Sequence, residues 1–127
     1  MPKKAIDTAG KVAGAPYSTA MLVGTTLYVS GQIPLDAKTG KLAVGDIKVQ
    51  TEQVFANLKD ALATAGLSLH HVLKATVFLA NMDDFGAMNE VYARHMPAPF
   101  PARSTIGVAA LPMGAKVEIE VVADKTA

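Results

Sequence analysis

Of the 127 residues, half are apolar and 18% are charged, with a net charge of +1 and no cysteine. Disulfides, thiolate metal sites and Cys nucleophiles are therefore excluded, and the near-neutral balance supplies no field for gathering nucleic acid. The length suits one domain spanning 1–127, greasy enough to bury surface against other copies; with no apolar leader and no run near the roughly 18 residues of a membrane span, a soluble cytoplasmic protein is expected.

In chain order, a short strand is expected near Lys3 to Asp7, followed by an irregular Gly-, Ala- and Pro-rich stretch ending in GAPYSTA. MLVGTTLYVSGQI reads as two strands joined at Gly24-Thr25, and DAKTGKLAVGD as a turn-rich excursion hinged at Gly40 and Gly45. Asp46 to Ala65 is the clearest helix. Asp46 is a candidate N-cap, Val54, Leu58, Ala61, Leu62 and Ala65 repeat on one face, and Gly66 supplies the stop. HVLKATVFLA, 71–80, is a run with several β-branched residues and little charge, suited to the middle of a sheet. A second helix is expected from Asp83 to His95 with Phe85, Met88, Tyr92 and Met96 as its buried stripe and Pro97 as its terminator. Strands near Ser104 to Ala109 and Lys116 to Ala123 complete the chain. The economical arrangement is an α+β fold with both helices on one face of a mixed sheet.

Side chains alternate faces along a strand. In the last strand Val117, Ile119 and Val121 oppose Lys116, Glu118 and Glu120. Leu27 and Val29 oppose Thr26, Tyr28 and Ser30, while Arg103 and Thr105 oppose Ser104, Ile106 and Val108. The apolar sets suit the floor beneath the helices. The second face is mixed, fit either for plain solvated sheet or for a pocket or subunit interface.

APYSTA (15–20), YVSGQIPLD (28–36), TEQVFANLKDALATAG (51–66), KATVFLANMDDF (74–85), MNEVYARHM (88–96), PARSTIGVAALP (101–112) and VEIEVVA (117–123) together resemble the RidA, or YjgF-type, family of enamine/imine deaminases. The resemblance covers nearly the whole chain. It implies a chorismate-mutase-like protomer in a homotrimer, with sheets around the central axis, helices outside and active sites in the clefts between subunits. It implies substrates of the 2-imino acid class, such as 2-iminopropanoate and 2-iminobutanoate, hydrolysed to 2-oxo acids and ammonia without cofactor or metal. By the same resemblance Arg103 of PARS holds the substrate carboxylate, and Glu118, the first glutamate of EIE, handles the water. Tyr17, Ser30, Gly31 and Asn89 fall at substrate-binding positions. Many members carry Cys where this chain has Thr105; the backbone carbonyl there is the group associated with the water, so activity is expected to survive the change.

The residue chemistry fits these roles and also fits plainer ones. A guanidinium stays charged and presents a planar fork that matches a carboxylate, which lysine does not. The alternative for Arg103 is a tie to a carboxylate within the chain. Glu118 and Glu120 point the same way, so parity cannot say which one moves protons. Tyr17 can wall a pocket or simply pack. Ser30 and the Gly31 amide can act as neutral donors, and Gly31 can equally mark a bulge. Asn89 lies on the stripe side of its helix, where a polar group must find a partner, and is read as a clamp. His70 and His71 adjoin a turn and His95 a helix end; none has metal-ligand spacing. Rival functions are an endoribonuclease or translation inhibitor, for which the basic groove is missing, and a non-catalytic sensor of small carboxylates.

Overall fold

The computed structural model describes residues 1–127. Its strands are β1 (Lys4–Ile6), β2 (Ala20–Val23), β3 (Thr26–Gln32), β4 (Leu35–Asp36), β5 (Lys41–Leu42), β6 (Val72–Leu79), β7 (Ala102–Gly107) and β8 (Val117–Asp124). The helices are α1 (Ile47–Thr64) and α2 (Phe85–His95). Six strands form one sheet in the order β1-β2-β3-β8-β6-β7, and β4 and β5 make a separate small hairpin. Only β6 and β7 run parallel, because the chain returns through α2 between them; every other pairing is antiparallel. The sheet is therefore mixed, with both helices on one face, as expected.

The first helix begins and ends where its residues dictate. The Asp46 carboxylate accepts from the Val49 amide at 3.0 Å, and Gly66, at φ +77°, takes the left-handed turn that other residues resist. Between them Val54, Phe55, Leu58, Ala61 and Leu62 are fully buried against the sheet. Each large apolar side chain so buried contributes about 1.5–3 kcal/mol. Two amides tie α1 to its surroundings. Gln50 accepts from the Lys116 amide at 2.9 Å and donates to the Ala43 carbonyl, and Asn57 donates to the carbonyls of Ile33 and Leu35, holding the β4–β5 hairpin in place. At the far end of β8, Asp124 accepts from Thr126, Thr26 and Thr25. These hydrogen bonds, those from Thr126 foremost, pull its carboxyl down to about 2.

Three expectations need correction. The DAKTGKL excursion contains the β4–β5 hairpin, turning at Gly40 with φ +70°. Its two-residue strands are too short to leave an alternating pattern. In α2 the buried set is Met88, Val91 and Tyr92, with Met96 beyond; Phe85 is 37% exposed. The third concerns β7, where the apolar residues do not form the floor beneath the helices. Arg103 pairs with Ala75 and Thr105 with Val77, both buried under α1 and α2, so Arg103 and Thr105 face the helices while Ile106 faces outward. An edge strand follows the register of its neighbour, and here that register overrides its own hydrophobic pattern.

The face away from the helices carries Tyr28, Leu73 and Ile106 at 52, 50 and 45% exposure, beside Lys74, Thr76, Phe78 and the glutamates of β8. It is apolar enough to be costly in water and contains no covering element. No helix is long and apolar enough to cross a membrane.

Candidate active site

Arg103 sits at the second position of β7, half-buried beneath α2. Its Nη1 donates to Asn89 Oδ1 at 2.7 Å, and its guanidinium carbon lies 4.6 Å from the Tyr92 ring centre and 5.6 Å from that of Phe85. Asn89, Tyr92, Ala93, Phe100, Pro101 and Arg103 enclose a cavity of about 240 Å³. The ion pairs of the chain are Lys48–Glu90, Arg94–Glu52 and His95–Glu52; none includes Arg103. The reading of Arg103 as a tie to an internal carboxylate is thereby removed. A half-buried guanidinium facing a cavity with one amide oxygen for company is a site that wants an anion. Thr105, next along the same face, has a buried hydroxyl with no partner, and so does Tyr92.

Glu118 lies on the other face. It pairs with Phe78, which pairs with Ile106, all pointing away from the helices, whereas Arg103, Ala75 and Val121 point toward them. The two residues are two strands and three residues apart, a Cα separation of about 14 Å with side chains diverging. Within one chain they do not meet. Glu118 has no cation beside it; burial first, and the charge of Glu120 second, push its carboxyl above the ordinary carboxylate range. Each half of the expected site thus holds one uncompensated charge, positive under α2 and negative on the open face.

The glutamate half holds Gly31, with Ser30 next to it in the strand, and Tyr17 shares a cavity with Gly31. The β3–β8 ladder shifts register between Val29 and Gln32, and Gly31 sits in that bulge. The Glu118 side chain folds over it: a Cβ on Gly31 would overlap the carboxylate and come within 2.7 Å of Glu118 Cδ. Ser30 differs from its expected role as a free donor, since its hydroxyl donates to the Ser18 carbonyl at 2.7 Å while its amide donates to Thr19. Only its oxygen lone pairs remain for a ligand, and its evident work is to pin the loop that carries Tyr17. Thr19, buried and unremarked in the sequence, completes that pin through Asp7 and Thr8. Tyr17 and Gly31 line a second cavity of about 550 Å³ that runs toward Asn57 and Asp60.

The histidines stand apart from both halves. His71 Nδ1 accepts from the Ser68 amide at 3.0 Å, capping the turn it adjoins. His95 stacks on Phe55 and lies 2.9 Å from Glu52 and 3.0 Å from Lys59, a bridge between the helices that the sequence did not reveal. Phe85 and Tyr92 were visible only as a helical stripe; their spacing of seven residues marked them for core, and nothing local marked them as neighbours of a guanidinium.

Replacing Gly31 by Ala is expected to evict the Glu118 carboxylate and, if Glu118 is the acid–base group that the resemblance implies, to lower activity by about a hundredfold, the low end for such a group. Because the displaced atoms end a flexible side chain, the unfolding midpoint should hardly move. An active Gly31→Ala protein would detach Glu118 from the chemistry.

Residues 8–125 match the family model described as Endoribonuclease L-PSP. The chain is 49% identical over 110 residues to a RutC family protein of Pyrococcus horikoshii, covering 87% of each. It is 43% identical over 121 residues to the 2-iminobutanoate/2-iminopropanoate deaminase of Dermatophagoides farinae, covering 94% of each. The crystal structure of Escherichia coli TdcF with bound serine is similar at 35% identity and a TM-score of 0.89, over 96% of this chain and 98% of that one. With the matched fold, the SGQIP and PARS motifs in place and the family model spanning nearly all of the sequence, the chain belongs to the endoribonuclease L-PSP family, that of the RidA proteins.

Proposed function

We propose that the protein hydrolyses 2-imino acids such as 2-iminopropanoate and 2-iminobutanoate to 2-oxo acids and ammonia, at sites that each take residues from two copies of the chain in a homotrimer. The observation that carries this reading is Arg103: half-buried, facing a cavity and without a carboxylate of its own. The name of the mite relative supports the reaction class, and the serine bound to TdcF supports a small ligand with a carboxylate.

In this reading Arg103 of one copy holds the substrate carboxylate through two parallel hydrogen bonds, with Asn89 fixing the guanidinium. Glu118 of the next copy, with Tyr17 and Ser30 around it, faces the imine carbon. Water adds to that carbon as Glu118 takes its proton; the C=N π electrons move to nitrogen. Glu118 returns that proton to nitrogen, giving the carbinolamine; it then carries the hydroxyl proton to the amine nitrogen, the freed oxygen electrons form the C=O π bond, and the C–N pair leaves with nitrogen, releasing ammonia and the 2-oxo acid. The raised proton affinity of Glu118 suits a group that must both accept and donate. Thr105 contributes its backbone carbonyl to the water. The apolar open face is the natural contact between copies, burying Tyr28, Leu73 and Ile106.

The test generates 2-iminobutanoate with an amino-acid oxidase and traps what remains with semicarbazide. The protein is expected to cut the trapped fraction, Arg103→Ala is expected to restore it, and light scattering should give three times the 13.2 kDa chain mass. Binding of 2-oxobutanoate without turnover would favour a sensor. The family description favours the nuclease as a second reading, yet none of the three histidines lines either cavity. Arg103-dependent RNA cleavage would overturn the deaminase.

A further inference from the structure

We propose that the two rings of the α2 stripe, Phe85 and Tyr92, are positioning residues that hold the Arg103 guanidinium in the orientation from which its free edge meets an anion; this rests on reading Arg103 as the carboxylate ligand. Phe85, Asn89 and Tyr92 stand at positions i, i+4 and i+7, one line along the helix. All three converge on one group. Asn89 holds Nη1 at 2.7 Å, and the rings lie 4.6 Å (Tyr92) and 5.6 Å (Phe85) from the guanidinium carbon. A cation that has lost part of its water is attracted to an aromatic face more strongly than one in solvent.

Two observations separate this from ordinary packing. Phe85 is more than one-third exposed, so its burial does not explain its place; its neighbour is the arginine. Tyr92 is buried with no partner for its hydroxyl within the chain, so no hydrogen bond of the chain accounts for its ring lying against the guanidinium. Tyr92 is in turn braced edge-on by Phe55 at 5.7 Å and 75°, and Phe55 stacks on His95. A rigid column from the helix pair thus ends on a long, otherwise mobile side chain. Holding that side chain before the ligand arrives lowers the ordering cost of binding.

The rings are tested with Phe85→Leu and Tyr92→Leu against the ring-keeping Phe85→Tyr and Tyr92→Phe, by two readouts in the whole protein. The first is the Arg103 Nε–Hε NMR signal without ligand, assigned by its disappearance in Arg103→Lys. The leucine variants are expected to speed its side-chain rotation and abolish its ring-current shift, and the ring-keeping variants to restore both. The second is kinetic: KM for 2-iminobutanoate is expected to rise about threefold in Phe85→Leu and about tenfold in Tyr92→Leu, with the loss in KM rather than kcat. Phe85→Leu, at an exposed position, keeps the test open if Tyr92→Leu misfolds. An unmoved Arg103 signal in the leucine variants, or no rescue by Tyr92→Phe, overturns the proposal. Absence of imine hydrolysis in the parent would strike the proposed reaction alone, because the NMR comparison does not depend on turnover.

Discussion

Chains carrying Arg103→Ala and chains carrying Glu118→Gln, each inactive alone, are expected to recover about a quarter of the parent activity when refolded together in equal amounts, because in the proposed trimer each site at a head-to-tail interface would draw its arginine and its glutamate independently from the two chain types. Alone, Arg103→Ala should lose about 2–5 kcal/mol of transition-state binding, as for truncating one partner of a buried, hydrogen-bonded charge pair. The basis is geometric. Arg103 faces α2 in register with Ala75 and Val121, while Glu118 lies on the opposite face in register with Phe78 and Ile106. No rotamer brings the two side chains together through a packed sheet. If both take part in one reaction, they do so across an interface. Zero recovery in mixed trimers verified by mass spectrometry would show that one chain supplies both groups, or that one of them is uninvolved.

Glu118→Gln should abolish most turnover while Glu120→Gln stays close to parent activity, although the two carboxylates share a face and lie only two residues apart. The distinction is burial. Glu120 is exposed, whereas Glu118 is partly buried over Gly31, and that burial, aided by the charge of Glu120, raises its proton affinity. The kcat profile of the parent should therefore fall on the acid side with a midpoint above the ~4.3 of an ordinary glutamate, and the Gln variant should lack that limb. The stability consequence has a definite sign. A carboxyl whose folded-state affinity for the proton exceeds its unfolded value favours the folded state when protonated. That advantage is lost as pH rises from the unfolded value through the folded one. Glu118→Gln should then be more heat-stable than the parent at neutral pH, with the difference shrinking toward pH 4. An inactive Glu118→Gln of lower stability at neutral pH would mark the residue as structural. Parent-like activity in Glu118→Gln with loss in Glu120→Gln would move the water to the other glutamate.

Where local chemistry governs the backbone, the residues announce the structure. Asp46 and Gly66 bracket α1 because a carboxylate satisfies free amides and a glycine accepts positive φ, and the Val54–Leu62 stripe is buried as its spacing demands. The alternation of Val117, Ile119 and Val121 with Glu118 and Glu120 likewise survives in β8. The β4–β5 hairpin leaves no signal in the sequence because two-residue strands hold no period. Periodicity places Phe85 in the core because it counts apolar residues without knowing what lies opposite.

The same limit explains the site. SGQIP, PARS and EIE are each unbroken runs of sequence, so their resemblance to a family, and with it the candidacy of Arg103 and Glu118, is legible directly. Parity also established that Arg103 and Thr105 share a face. Which face could not be read, since the apolar Ile106 and Val108 argued for the wrong one. That was decided by β6, whose Ala75 and Val77 are 28 residues away and fix the register of β7 through backbone hydrogen bonds. The sequence by itself determined which groups carry the charge, the helices and the turns, because those depend on neighbours a few residues apart. Only the tertiary structure set the guanidinium under one side of the sheet and the carboxylate on the other, because faces are assigned by pairings between strands distant in the chain.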